Sequence, residues 1–183
     1  MKKITLPIRL LILSTIIFII SFNLNAQSFS AGGYVGGGFI KSNSPNEGSF
    51  TSSLFVDFAP PLSSVTYRLS FLYHGYFAMI VPGSTNRYFP FVKGISLKAT
   101  TTQPVNNSVY IEEAAGLLAL NDRVFEGADE WDYGIAFSIL GGLDLRNNSP
   151  TGFKIGVGTE FGLTFNNNNA EYFSIHFQTQ YVF

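Results

Sequence analysis

Cysteine is absent from the 183 residues, and with it disulfides, thiolate metal sites and a lipid-modified N-terminal cysteine are excluded. Histidine occurs only at His74 and His176, so two side chains are available as ordinary neutral-pH bases. Charged residues make up 13% of the chain, 11 basic against 12 acidic. Lys and Arg form no cluster, and a nucleic-acid partner is excluded because phosphate neutralisation requires one. Beyond the N-terminal region no apolar run approaches the ~20 residues of a membrane-crossing helix. In their place stand 19 Phe, 9 Tyr and 18 Gly.

The N-terminus carries its own signature. Lys2, Lys3 and Arg9 precede the apolar stretch 10–20, and a polar segment closes at Asn25-Ala26-Gln27. A basic start, a short apolar middle and a small residue before the cut describe a secretory signal peptide. Residues 1–26 are therefore expected to be removed, leaving one domain over 27–183, which is 157 residues (183 − 26). Three of the basic residues leave with the leader, so 8 (11 − 3) face 12 acidic ones, a net charge of −4.

The mature chain ends in two long alternating runs. Over 153–165 the odd positions are Phe153, Ile155, Val157, Thr159, Phe161, Leu163 and Phe165, and the even ones Lys154, Gly156, Gly158, Glu160, Gly162 and Thr164. After Asn166-Asn167-Asn168-Asn169 the pattern resumes, with Phe173, Ile175, Phe177, Thr179, Tyr181 and Phe183 opposite Tyr172, Ser174, His176, Gln178, Gln180 and Val182. Period-two alternation marks strands with one apolar and one polar face. Their length matches the ~9–11 residues that a tilted strand needs to cross a bilayer. Six earlier strands are expected at about 29–40, 49–58, 65–74, 88–100, 108–120 and 131–146, separated by turn-forming stretches such as Asn43-Ser44-Pro45-Asn46-Glu47-Gly48. The fourth breaks its alternation at Lys93, where a β-bulge at Lys93-Gly94 would restore it. The fifth meets the same difficulty at Glu112-Glu113, since consecutive carboxylates cannot both face inward.

The fold class expected is all-β, an antiparallel up-and-down transmembrane β-barrel of eight strands, with ten as the alternative. Closure leaves no unpaired backbone facing lipid, and an even strand number suits a single-chain bacterial barrel. With both ends on the periplasmic side, the connections after the odd strands lie outside the cell. Trp131 and Tyr133 then belong to an outer aromatic girdle, and Tyr181 and Phe183 to an inner one. Periodicity also admits an inside-out rival, a secreted lipocalin-like barrel whose apolar face lines a ligand cavity. Against it, Gly156, Gly158 and Gly162 would have to face water on a strand too long for a soluble calyx; they suit a narrow lumen.

On these features, above all the leader, the strand count and the terminal Phe173-x-Ile175-x-Phe177-x-Thr179-x-Tyr181-x-Phe183, the chain resembles the small outer-membrane β-barrel proteins of the OmpX-like and OmpA-transmembrane-like group. The resemblance implies residence in the outer membrane, contact with lipid and lipopolysaccharide, a monomer, no cofactor, and Phe177, Tyr181 and Phe183 as the signal read by the barrel-assembly machinery. A narrower likeness joins Val109-Tyr110-Ile111-Glu112-Glu113-Ala114-Ala115-Gly116-Leu117-Leu118 and Gly141-Gly142-Leu143-Asp144-Leu145 to the second half of lipid A deacylases of the acyloxyacyl hydrolase family. That family carries His-x-Ser-Asn on its penultimate strand, where this chain has Thr159-Glu160-Phe161-Gly162-Leu163. The likeness therefore implies a relative without the activity.

Two readings compete for the polar face. Ser174 and His176 lie two apart, and if Phe165 opposes Glu171 in the last hairpin, Glu160 falls opposite His176. Serine, a base and an orienting acid in one patch invite a catalytic triad. The alternative, favoured by the narrowness of an eight-strand lumen, is an interior hydrogen-bonding network of Arg68, Lys154, Glu160, His176, Gln178 and Gln180. Glu126, Asp129, Glu130 and Asp132 form an acidic stretch with oxygen ligands for a divalent cation but no ligand spacing, so a solvated loop is expected and no metal. Lys93 offers a lipid-phosphate contact besides the bulge. The apolar connection around Tyr76, Phe77, Met79, Ile80 and Val81 suits either packing over the barrel mouth or a partner. The function expected is an integral outer-membrane protein with a structural or surface-interaction role, neither pore nor enzyme. The runner-up is a lipid-modifying enzyme derived from the deacylase-like barrels.

Overall fold

The computed structural model describes residues 28–183 apart from 43–45, 62, 81–87, 125–126, 128, 148 and 166–168. The expected leader over 1–26 and Glu126 lie outside the described residues. Eight antiparallel strands, β1 (Ser28–Lys41), β2 (Glu47–Ala59), β3 (Val65–Tyr76), β4 (Phe91–Pro104), β5 (Val109–Arg123), β6 (Glu130–Asp144), β7 (Gly152–Thr164) and β8 (Glu171–Val182), close into a barrel in sequence order. Eight, not ten, is the number. β8 pairs with both β7 and β1, so the wall has no edge.

The register fixes the barrel's shape. A row of Cα partners leaves Phe29 on β1 and passes through Phe58, Tyr67, Ala99, Ala115, Phe137, Phe161 and Phe173. It returns to β1 at Phe39, ten residues (39 − 29) above its start. A stagger of ten over eight strands corresponds to a tilt of about 40°. The ten residues then span about 25 Å of height at 3.3 Å per residue, the thickness of the apolar band of such barrels.

The greasy face is outside. Leu54 is 72% exposed, Leu117 68% and Val35 62%, whereas Arg68, Lys98, Glu160 and His176 on the other face are buried. The lipocalin-like alternative is thereby overturned, because its apolar side chains would line the interior. Aromatic rings ride at both rims. Near the end that holds Ser28 and Phe183, the inner end, Phe29 contacts Phe58 at 5.4 Å and Tyr181 contacts Phe153 at 4.9 Å and Phe183 at 5.1 Å between centroids. At the opposite, outer end Tyr73 packs on Phe50 and Phe91 at 5.7 and 5.6 Å, and Phe39 on Phe173 at 5.6 Å.

Two expectations about register need correcting. β4 has no bulge: Lys93 pairs in unbroken sequence with Tyr73 and Asn121 and faces outward two residues from the end of its strand, at the rim of the apolar band. In β5 the strand also runs straight, with Glu112 turned inward and Glu113 outward. The connection after β3 begins with a short 3-10 turn, Phe77–Met79. Phe77 lies outside the wall, where a Cβ at Gly37 or Gly48 would come within 3.1 or 3.4 Å of its ring. Of the two, Gly37 is the one where a side chain would crowd the ring; a Cβ at Gly48 would make an ordinary contact.

Candidate functional site

Inward-facing side chains of an eight-strand barrel converge on a narrow axis, and here they form three layers. The inner layer is built on Arg68 of β3. Its guanidinium donates to Asp57 through Nε at 2.7 Å and Nη2 at 2.8 Å, and to Glu112 through Nη1 at 2.7 Å. The cation also lies 4.0 Å from the centre of the Phe55 ring. Asp57 accepts further from Ser30 at 3.2 Å and from the Gln180 amide at 2.9 Å, and Gln180 donates to Ser30 at 2.6 Å. Gln178 accepts weakly from Arg68 at 3.4 Å. A planar fork serving two carboxylates is the geometry that distinguishes arginine from lysine.

The middle layer spans the lumen. Lys98 on β4 donates to Glu160 on β7 at 2.5 Å, and the Tyr172 hydroxyl donates to the other Glu160 oxygen at 2.7 Å. Gly162 makes this possible, since any Cβ there would sit 2.2 Å from the Tyr172 ring. His176 stacks on Tyr34 at 4.0 Å, and His74 lies against Tyr172 at 4.3 Å. Above, toward the outer end, Ile40, Leu72, Val92, Leu118, Leu120, Val124, Ala136 and Ala170 cluster with Tyr172, and beside them Ser42 donates to the buried Asp122 at 2.7 Å. Buried ion pairs beneath this cluster fasten strands that are not neighbours in the wall.

The last hairpin is where the triad geometry is decided. Leu163, not Phe165, opposes Glu171, so Glu160 lies across from Ser174 and Gly158 from His176. Ser174 Oγ and His176 Nδ1 are 3.3 Å apart, but both Glu160 oxygens are engaged by Lys98 and Tyr172. Ser174 has no solvent exposure. Among the described residues, no carboxylate hydrogen-bonds to His176, and Ser174 is enclosed within the barrel.

Of the residues singled out from sequence, Arg68, Gln178 and Gln180 meet in the inner layer and Glu160 and His176 in the middle one. Lys154 stands apart near the inner mouth, its ammonium 4.9 Å from the Tyr110 ring centre. Asp57, Lys98, Glu112 and Tyr172 carry as much of the network and lie outside the set that the sequence assigns to it. The signal for Lys98 was present: it shares the inward parity that Ile95 and Leu97 assign to even positions of β4. Among the outer acids, Asp132 points into the barrel, while Asp129 accepts from Asn121 at 3.0 Å and pairs with Arg123 at 2.6 Å. Phe177, Tyr181 and Phe183 all lie on the outer face of the final strand and its end.

No protein-family model and no curated protein sequence matches the chain. Among solved structures, Neisserial surface protein A superposes with a TM-score of 0.61 over 85% of this chain and 96% of that one, at 10% identity. Ail, the attachment invasion locus protein of Yersinia pestis, superposes with a TM-score of 0.53 over 87% and 100%, at 13% identity. A second Ail structure, in complex with the heparin analogue sucrose octasulfate, gives 0.51 over 86% and 98%, again at 13% identity. Likeness at such identities establishes the fold. The chain has the fold of the small eight-stranded outer-membrane β-barrels.

Proposed function

We propose that the protein resides in the outer membrane, reached through a cleaved leader over 1–26, and acts through its outer surface as an envelope-structural or surface-binding element, without conducting solutes or catalysing a reaction. The observation that carries this reading is the filled lumen, crossed by the Lys98–Glu160 ion pair at 2.5 Å and capped by the apolar cluster around Tyr172. Such a barrel offers partners only its wall and its loops. Lipopolysaccharide around the outer rim and the barrel-assembly machinery during insertion are the partners this reading implies.

The sulfated ligand seen with Ail does not transfer readily. Among the described residues at the outer end, Lys41 already pairs with Glu171 and Arg123 with Asp129, which leaves Lys93 as a single cation on the wall rather than a patch for a polyanion. A neutral or cationic surface partner suits the acidic mature chain better. The second reading, a lipid-modifying enzyme, draws on the 3.3 Å contact of Ser174 with His176.

Recording in planar bilayers should show no steady conductance steps, and lipid A from cells with and without the gene should have the same mass spectrum. Large steps would make the protein a pore. A changed acyl count abolished by Ser174→Ala would make it an enzyme.

A further inference from the structure

One charge on the outer wall is out of place. Among the described outward-facing strand residues, Lys41, Lys93, Arg123 and Glu171 all lie within three residues of the outer ends of their strands. Glu113 does not. It is exposed on β5, flanked across the sheet by Thr101 and Ile139, and no described side chain pairs with it. It stands four residues above Val109 at the inner end of β5, about 10 Å up the wall at the tilt given above. An ionisable group facing lipid is unfavourable unless something there answers its charge.

The wall around Glu113 is also indented. A depression of about 520 Å³ is lined by Ala99, Thr101, Ala115, Phe137, Thr159 and Phe161 together with Glu113. The small residues Ala115 and Ala99 continue it from Glu113 toward mid-wall, and Phe137 and Phe161 form one bank. A carboxylate on the inner side of the wall with an apolar trough rising from it has the layout of a lipid whose head is drawn into the depression: polar head below, acyl chain above.

Resting on the membrane placement proposed above, we infer that the Glu113 depression binds one phospholipid with a primary-amine headgroup, its ammonium on the carboxylate and an acyl chain in the trough over Ala115. Charge complementarity selects the head. The lining contains no cation, so an anionic headgroup would meet an unanswered carboxylate. A primary ammonium donates hydrogen bonds to Glu113 and the Thr101 hydroxyl oxygen, which a quaternary choline cannot do.

Native mass spectrometry of the detergent-solubilised barrel tests this with phosphatidylethanolamine, phosphatidylcholine and phosphatidylglycerol of identical chains. The wild type should retain a single phosphatidylethanolamine at least about fivefold more than either other lipid, a discrimination of roughly 1 kcal/mol. Glu113→Gln should erase the preference. Ala115→Phe, which fills the trough and leaves the charge, should lower retention of all three; heat-modifiable gel migration reports folding of both variants. Equal retention of the three lipids by the wild type, undiminished phosphatidylethanolamine on Glu113→Gln, or a dimer that Glu113→Gln dissolves would each overturn the site. A chain that stays monodisperse without detergent would instead overturn the membrane placement beneath it.

Discussion

At the scale of single residues, Arg68 is the side chain on which most depends. It neutralises Asp57 and Glu112 together within a lumen where all three are nearly inaccessible. Removing one partner of a buried ion pair leaves an uncompensated charge, typically a loss of about 3–5 kcal/mol. Arg68→Ala should lower unfolding stability by that order, read from urea titration of the barrel in detergent or vesicles. Arg68→Lys should fall between, because an ammonium keeps the charge and loses the fork. A subtler test concerns Gly162 and Tyr172. Tyr172→Phe removes one hydrogen bond to a charged group, about 1.5–3 kcal/mol. Gly162→Ala should cost at least as much, since its Cβ would displace the ring that makes the bond.

Individual strands obey a depth rule. Leu54 faces outward near the middle of β2, and Leu143 faces outward one residue from the inner end of β6. An arginine facing lipid costs about 2–4 kcal/mol at mid-depth and about 0–1 near the interface. Leu54→Arg should therefore destabilise markedly and Leu143→Arg little, measured by the same titration in vesicles. β8 has a second duty, since it alone joins β7 to β1, and without it two unpaired edges would face lipid. If its outward aromatics also recruit the assembly machinery, Tyr181→Ala with Phe183→Ala should reduce the heat-modifiable, assembled fraction in cells while purified protein still refolds in detergent. The strands also show how far alternation reaches. Inward and outward parity could be read directly for β3, β6, β7 and β8. In β4 and β5 the single charges Lys93 and Glu113 looked like breaks in the pattern, because a sequence does not reveal that one lies at the rim of the apolar band and the other in a wall depression. Slipping a hairpin by two residues leaves every side chain on its own face. That is why Glu160 could be assigned to the lumen but not to its partner.

The molecule as a whole is a wall and a fastening. Its apolar exterior needs a lipid or detergent coat, so the leaderless chain should aggregate when detergent is withdrawn, as sedimentation or light scattering would report. Its interior joins strands that are not neighbours in the wall, β3 to β5 through Arg68–Glu112 and β4 to β7 through Lys98–Glu160. An open pore of this size would need those pairs and the apolar cap dismantled together, so Lys98→Ala should weaken the barrel without producing steady conductance.

The amino-acid order by itself determined the class of structure: an even-stranded antiparallel barrel, the parity of side chains along most strands, the absence of cysteine chemistry and the scarcity of possible catalytic bases. These follow from local periodicity and composition, which need no knowledge of neighbours. Only the closed barrel decided which face meets lipid, because alternation is unchanged when the two faces are exchanged. It also decided that Glu160 belongs to Lys98 and Tyr172 rather than His176, and that Asp57 and Glu112 share one arginine. Arg68–Asp57 and Tyr172–Glu160 need the register of a single hairpin, whereas Arg68–Glu112 and Lys98–Glu160 join residues 44 and 62 positions apart and exist only once closure brings β3, β4, β5 and β7 around one lumen.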